Sequence, residues 1–193
     1  MRRNSSRFFA AIAGFAIAAI LLAAGGLLMW GSAYVHNTVQ GQLSAQQIYF
    51  PAKGSPALAS PKIGPYLNQY AGQQLLTGQQ AEAYADHFIA VHLNEATGGQ
   101  TYAQLSTQAQ AQPNNTKLAG QVATVFKGET LRSILLNAYG WWKVSQITYI
   151  ASIAALAIGG LTLTGAAFGL AFGRKTQPAE VITHESITPV ETA

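Results

Sequence analysis

Five titratable side chains stand close together in the middle of the chain: Glu82, Asp86, His87, His92 and Glu95. Imidazoles and carboxylates gathered on one helical stretch are the groups that hold a divalent cation or relay a proton. Here the spacing does not converge. At about 100° per residue, His87 and His92 stand about 140° apart on a regular helix, so a single ion cannot be gripped by both. The pattern H-E-x-x-H is absent, and His36 lies away from the cluster, beside the first apolar run. Glu82 shares a face with Asp86, and His92 with Glu95, which reads as a solvated polar surface. Other chemistries fare no better. The chain has no G-x-S-x-G, no Walker A pattern and no G-x-G-x-x-G. It has no cysteine either, which removes thiolate nucleophiles, disulfides and Cys-based zinc sites. The expectation is a protein that is not an enzyme, with no catalytic residues, no metal site and no cofactor.

The elements that flank this cluster are more telling. Two long apolar runs, residues 8–29 and 147–172, contain no charged residue. Each is longer than the ~20 residues a helix needs to cross the hydrocarbon core. The fold class that follows is an all-α membrane protein, two transmembrane helices flanking a small helical extracytoplasmic domain. The expected divisions are a cytoplasmic N-terminus (1–7), a first span (8–33), an extracytoplasmic helical domain (34–145), a second span (146–173) and a disordered cytoplasmic tail (174–193). A cleaved signal peptide is the competing reading of the N-terminus, since Gly31-Ser32-Ala33 resembles a small-x-small cleavage site. The apolar run exceeds an ordinary signal core, and bulky Met29-Trp30 stands just before that site, so an anchor is the expectation.

The formal net charge of +4 sits mostly at the membrane ends. Arg2, Arg3 and Arg7 precede the first run, and Arg174-Lys175 follows the second. This is the pattern of orientation, not of nucleic-acid binding, and it places both termini in the cytoplasm. Lys127, Arg132 and Lys143 reduce the contrast. Trp30, Tyr34, Tyr139, Trp141 and Trp142 form an aromatic belt at the outer surface. Neither run holds an ionisable group that would mark an ion or proton path.

Between the runs the pattern is helical. Residues 35–49 continue the first helix, with Val35, Val39 and Leu43 along one side. Pro51, Pro56, Pro61 and Pro65 then predict an extended loop without helix. A short helix is expected over 66–76. Thr77 and Gln80 match a capping box opening a helix over 79–96, which Gly98-Gly99 ends. Another helix covers 101–111, and a last one begins near Thr116 and runs into the second span, with bends at Gly128 and Gly140. No stretch alternates as a strand would.

Small residues recur every fourth position in both runs: Ala10, Gly14 and Ala18 in the first, Gly165, Gly169 and Gly173 in the second. Such faces let helices approach closely in lipid. They serve either the pairing of the two spans or the docking of a partner. The middle segment carries few charges for a solvated domain, which favours interaction with a partner, the membrane surface or a wall polymer.

The stretches QQIYFP (46–51), YAGQQLLTGQQAEAYADHFIAVHL (70–93), TYAQLSTQAQA (101–111) and FKGETLRSILLNAYGWW (126–142) resemble a group of two-span actinobacterial membrane proteins. The resemblance covers most of the middle segment and both spans. It implies a multi-pass protein of the bacterial plasma membrane and brings no catalytic residues with it. The expected role is an accessory or assembly subunit of a larger cell-envelope complex. The alternative is an extracytoplasmic sensor or a module that binds a small molecule or lipid. The expected partners are the lipid bilayer and a membrane protein, or a second copy, held through small-residue helix faces; nucleic acid is not expected. Tyr84, Phe88, Trp141 and Trp142 are the candidates for outer contacts, and Gly165 and Gly169 for contacts within the bilayer.

Overall fold

The computed structural model describes residues 2–173; the expected acidic tail and the Arg174-Lys175 flank lie outside the described residues. The chain forms α1 (Arg2–Ala45), α2 (Pro56–Ala59), α3 (Gly64–Leu67), α4 (Gly78–Tyr84), α5 (Ala90–Thr97), α6 (Tyr102–Ala111) and α7 (Thr116–Gly173). A 3₁₀ turn, Asn68–Tyr70, follows α3, and a π-helical turn, Ala85–Ile89, joins α4 to α5. Among the described residues there is no strand, only one isolated antiparallel bridge between Tyr49 and Gln74. Both α1 and α7 are long and apolar enough to cross a membrane, and most of each apolar window faces outward. The chain divides into two compact units, one made of the N-terminal end to Ala23 with the stretch from Ala155 on, the other of Ala24–Ala154.

In the first unit, α1 and α7 meet through residues that lack bulk. Ala11 and Ala18 are buried, and a Cβ on Gly14 would stand 3.0 Å from the Cβ of Ala166. A Cβ on Gly159 would come within 3.1 Å of Leu22. The contact face is therefore Ala11, Gly14 and Ala18, while Ala10 is exposed. Gly165 and Gly169 look onto open space.

The second unit has a continuous apolar core. Val39 and Leu43 on α1 meet Leu58, Ile63, Leu67 and Leu75 from the connecting segment, Ala81, Ala85, Ile89 and Leu93 from α4 to α5, and Leu135 and Trp142 from α7. The spacing of Val39 and Leu43 places both on one helix face, as expected. A buried hydrogen bond ties the long helices, with the Ser32 hydroxyl donating to the Ser145 carbonyl at 2.7 Å. The segment that resembles a cleavage site thus lies within α1, with Ser32 buried. A smaller cluster of Leu105, Leu118 and Val125 seats α6 on the start of α7.

Local signals account for most helix ends. The Thr77 and Gln80 capping box forms at α4. A second one forms at α6 from Thr101 and Gln104, a T-x-x-Q match that sequence reading passed over. Gly98 ends α5 at φ 64°, a left-handed conformation that favours glycine. Asn115 caps α7, its side-chain oxygen accepting from the Leu118 amide at 3.1 Å.

Two expectations are corrected. The proline-dense loop holds two single-turn helices, because Pro56 and Pro65 occupy first-turn positions, where a missing amide costs nothing. The helix expected over 66–76 stops at the 3₁₀ turn. Gly72 takes φ 73° and donates to the Pro51 carbonyl, and the Leu75 amide donates to the Ile48 carbonyl, so this backbone pairs across the loop rather than along a helix. The last helix, α7, is helical throughout, Gly128 and Gly140 included. Gly128 is a contact point, since a Cβ there would run into Leu93.

The two glycine sets should respond differently to bulk. Gly14→Leu must push α7 away and is expected to lower stability by about 2 kcal/mol. Gly165→Leu meets no neighbour and should stay within about 0.5 kcal/mol of the parent. Thermal unfolding of the two variants in the same detergent checks this difference.

Candidate functional site

The cluster of acids and histidines does not assemble into a reaction centre. Asp86 turns toward α7 and pairs with Arg132 at 2.8 Å. Arg132 also reaches Glu129, one helical turn away, at 3.5 Å. The hydrogen bond to Asp86 raises the guanidinium above its already high pKa, against an opposing push from partial burial. Glu82 points the same way, toward the Tyr139 hydroxyl. Partial burial, followed by the hydrogen bond to Glu82 and the nearby carboxylate charges, raises this phenol above its usual value. The Glu82–Asp86 face, expected to be solvated, is instead the polar seam along which α4 and the π turn lie on α7, whereas His92 and Glu95 are exposed, as expected.

The histidines go elsewhere. His87 stacks flat on Tyr66, with ring centroids 3.5 Å apart. The His92 ring lies at the Phe88 carbonyl, with Nδ1 2.7 Å from the oxygen. Glu95 faces Lys62 at 3.9 Å across a well-exposed gap. His87 itself lies in the π-helical turn, so a regular 100° step does not describe its relation to His92. Among the described residues, no three His, Asp or Glu side chains gather closely enough to hold a metal ion.

Of the aromatic candidates, three work inside the protein. Tyr84 is half-buried between Phe50 and Phe88, at 5.4 and 4.7 Å between centroids, and burial raises its pKa. Phe88 packs between Tyr84 and His92. Trp142 is only 5% exposed; it lies 4.0 Å from the His36 ring and fills the space left by Gly78, where a Cβ would overlap it. Sequence type alone marks these residues as sticky, but a ring against a missing side chain is internal packing. Trp141, the adjacent residue, is 53% exposed.

Trp141 belongs to a face that sequence reading did not single out. Thr130, Ile134, Asn137, Trp141 and Val144 recur three and four residues apart on α7, and all are exposed. Leu131 and Phe126 widen it. From Thr130 to Val144 this face bears no charge; Arg132 is turned into its ion pairs, and Lys143 sits 5.5 Å from the Tyr139 ring centroid. Ile134, half exposed, precedes the apolar run at residue 147 by thirteen positions. That is about 20 Å of helix, too far for lipid tails to account for the exposure. The signal was present in the 3-and-4 spacing, but the nearby apolar run masks it. Gly165 and Gly169 are likewise uncovered in the other unit.

Compared with known proteins, the chain matches no family model, no curated protein and no solved structure.

Three substitutions probe the seat of α4 and the π turn on α7. Gly78→Ala forces a methyl group into Trp142 and should cost about 2 kcal/mol. For Asp86 and Arg132, both about one-third exposed, a double-mutant cycle to alanine is expected to give a coupling of about 1 kcal/mol. Chemical denaturation of the four proteins measures it, and the coupling should shrink in high salt.

Proposed function

We propose that this is a non-enzymatic two-pass protein of the bacterial plasma membrane that serves as an accessory or assembly subunit of a larger envelope complex. Both ends are cytoplasmic, and the helical segment 34–145 stands outside. The observation that carries this reading is the exposed, uncharged face of α7 from Thr130 to Val144. Contiguous exposed apolar surface on a well-packed unit is the mark of a surface that another protein covers.

Charge placement supports the orientation: Arg2, Arg3 and Arg7 precede the first apolar run and Arg174-Lys175 follows the second, while Lys127, Arg132 and Lys143 reduce the contrast. Within the bilayer, Gly14 and Gly159 are used up in pairing α1 with α7, while Gly165 and Gly169 remain available to a partner helix.

The test is gentle extraction of a tagged full chain from its native membrane, with mass spectrometry of what co-purifies. A second membrane protein should be recovered at near-equal molar amount. Replacing Ile134 and Trp141 by serine should reduce that recovery at least about tenfold while the variant stays folded, since hot-spot aromatic and aliphatic side chains each contribute more than about 1 kcal/mol to an interface. Recovery of the chain alone, or undiminished recovery with the double variant, would contradict the reading.

A further inference from the structure

Just beside the Ser32 to Ser145 hydrogen bond, α1 and α7 part around a cavity of about 380 Å³. Its walls are Met29, Ala33, His36 and Asn37 from α1, and Gln146 and Tyr149 from α7. The volume falls in the range of ordinary ligand sites. Its two ends differ. Met29 and Ala33 continue the apolar run of α1, whereas His36, Asn37 and Gln146 lie where both helices turn polar. No Lys, Arg, Asp or Glu lines the space.

The polar side chains around it are uncommitted. The ring nitrogens of His36 and the polar groups of Asn37, Gln146 and Tyr149 make no hydrogen bond to any other described residue. By contrast Ser32 and Ser145 are already satisfied, Ser145 donating to the Trp142 carbonyl at 2.7 Å. The Ser32 bond fixes the spacing of the helices here, and the contact with Trp142 fixes the His36 ring, so the groove and one of its polar groups are set before any ligand arrives.

We propose that this groove binds one membrane lipid with an uncharged sugar headgroup, its headgroup among His36, Asn37 and Gln146 and its chain along Met29, Ala33 and the ring of Tyr149, which the pairing of Ser32 with Ser145 sets level with Met29. Each sugar hydroxyl both donates and accepts, which suits the mixed carboxamide and imidazole set. A phosphate headgroup would bring charge into a site that offers no counter-charge. The inference rests on the membrane reading above but not on any protein partner.

The full chain is reconstituted in phosphatidylcholine nanodiscs doped with equal amounts of diglucosyl-diacylglycerol and phosphatidylglycerol. Lipids that stay bound on release from the disc are counted by native mass spectrometry. One glycolipid per chain should be retained in preference to the other two. Ala33→Trp, which fills the groove, should abolish this retention. Asn37→Ala with Gln146→Ala should weaken it at least about tenfold, the loss expected from two neutral hydrogen bonds, without lowering the unfolding temperature. Preferred retention of phosphatidylglycerol, equal retention of all three lipids, or retention unaffected by the variants would overturn the proposal. Competition by free glucose that strips the site would also overturn it, because the chain would then add nothing. A protein that never enters the discs would sink the membrane reading with it, whereas one that enters and shows no preference sinks this proposal alone.

Discussion

The seat of Trp142 is the contact on which the unit Ala24–Ala154 depends. The indole ring fills the space left by Gly78 at the start of α4, lies against His36 on α1, and stands on α7 itself. Three elements far apart in sequence therefore meet at one ring. Only glycine at position 78 permits the approach, because any Cβ would overlap the indole. One helical turn further along α7, the Ser32 to Ser145 bond repeats the link between the long helices in polar form. With that corner fixed, the direction of α4 is fixed, and the acids on its outer face fall onto Arg132 and Tyr139.

The same packing disperses the cluster of acids and histidines. A reaction centre needs groups that converge on a common point with unsatisfied capacity. Here three of the five go to different neighbours: Asp86 to Arg132, Glu82 to Tyr139, His87 to Tyr66. The uncommitted capacity lies in two other places. One is the uncharged outer face of α7, and the other is the groove whose walls include His36 and Gln146. Both are free of charged side chains, and neither contains a nucleophile with a base beside it.

Much of the architecture was legible in the residues. The apolar runs predicted both long helices, and Thr77 with Gln80 and Gly98 predicted the bounds of the central helical stretch. What the sequence could not show is which partner each residue would find. Trp141 and Trp142 are identical in type and adjacent, yet one is exposed and the other buried, because successive residues on a helix point about 100° apart. Gly128 reads as a bend by propensity, but its contact with Leu93 depends on long-range packing. Pro56 and Pro65 read as helix breakers, yet first-turn positions tolerate them. The exposed face of α7 was hardest to see, since an apolar stripe leading into an apolar span looks like part of it.

The account turns on whether that face of α7 is covered in the cell. The chain contains no cysteine, so a single one can be placed at Ile134 or Trp141 without background. Labelling with a membrane-impermeant maleimide would be compared between intact cells and the purified protein, with a cysteine at Lys53, on an exposed loop, as reference. The account predicts full labelling at Lys53 in both, and labelling at Ile134 and Trp141 that is strong after purification but suppressed in cells. Equal labelling of Ile134 and Trp141 in cells and after purification would mean that nothing covers the face, and would contradict the central claim.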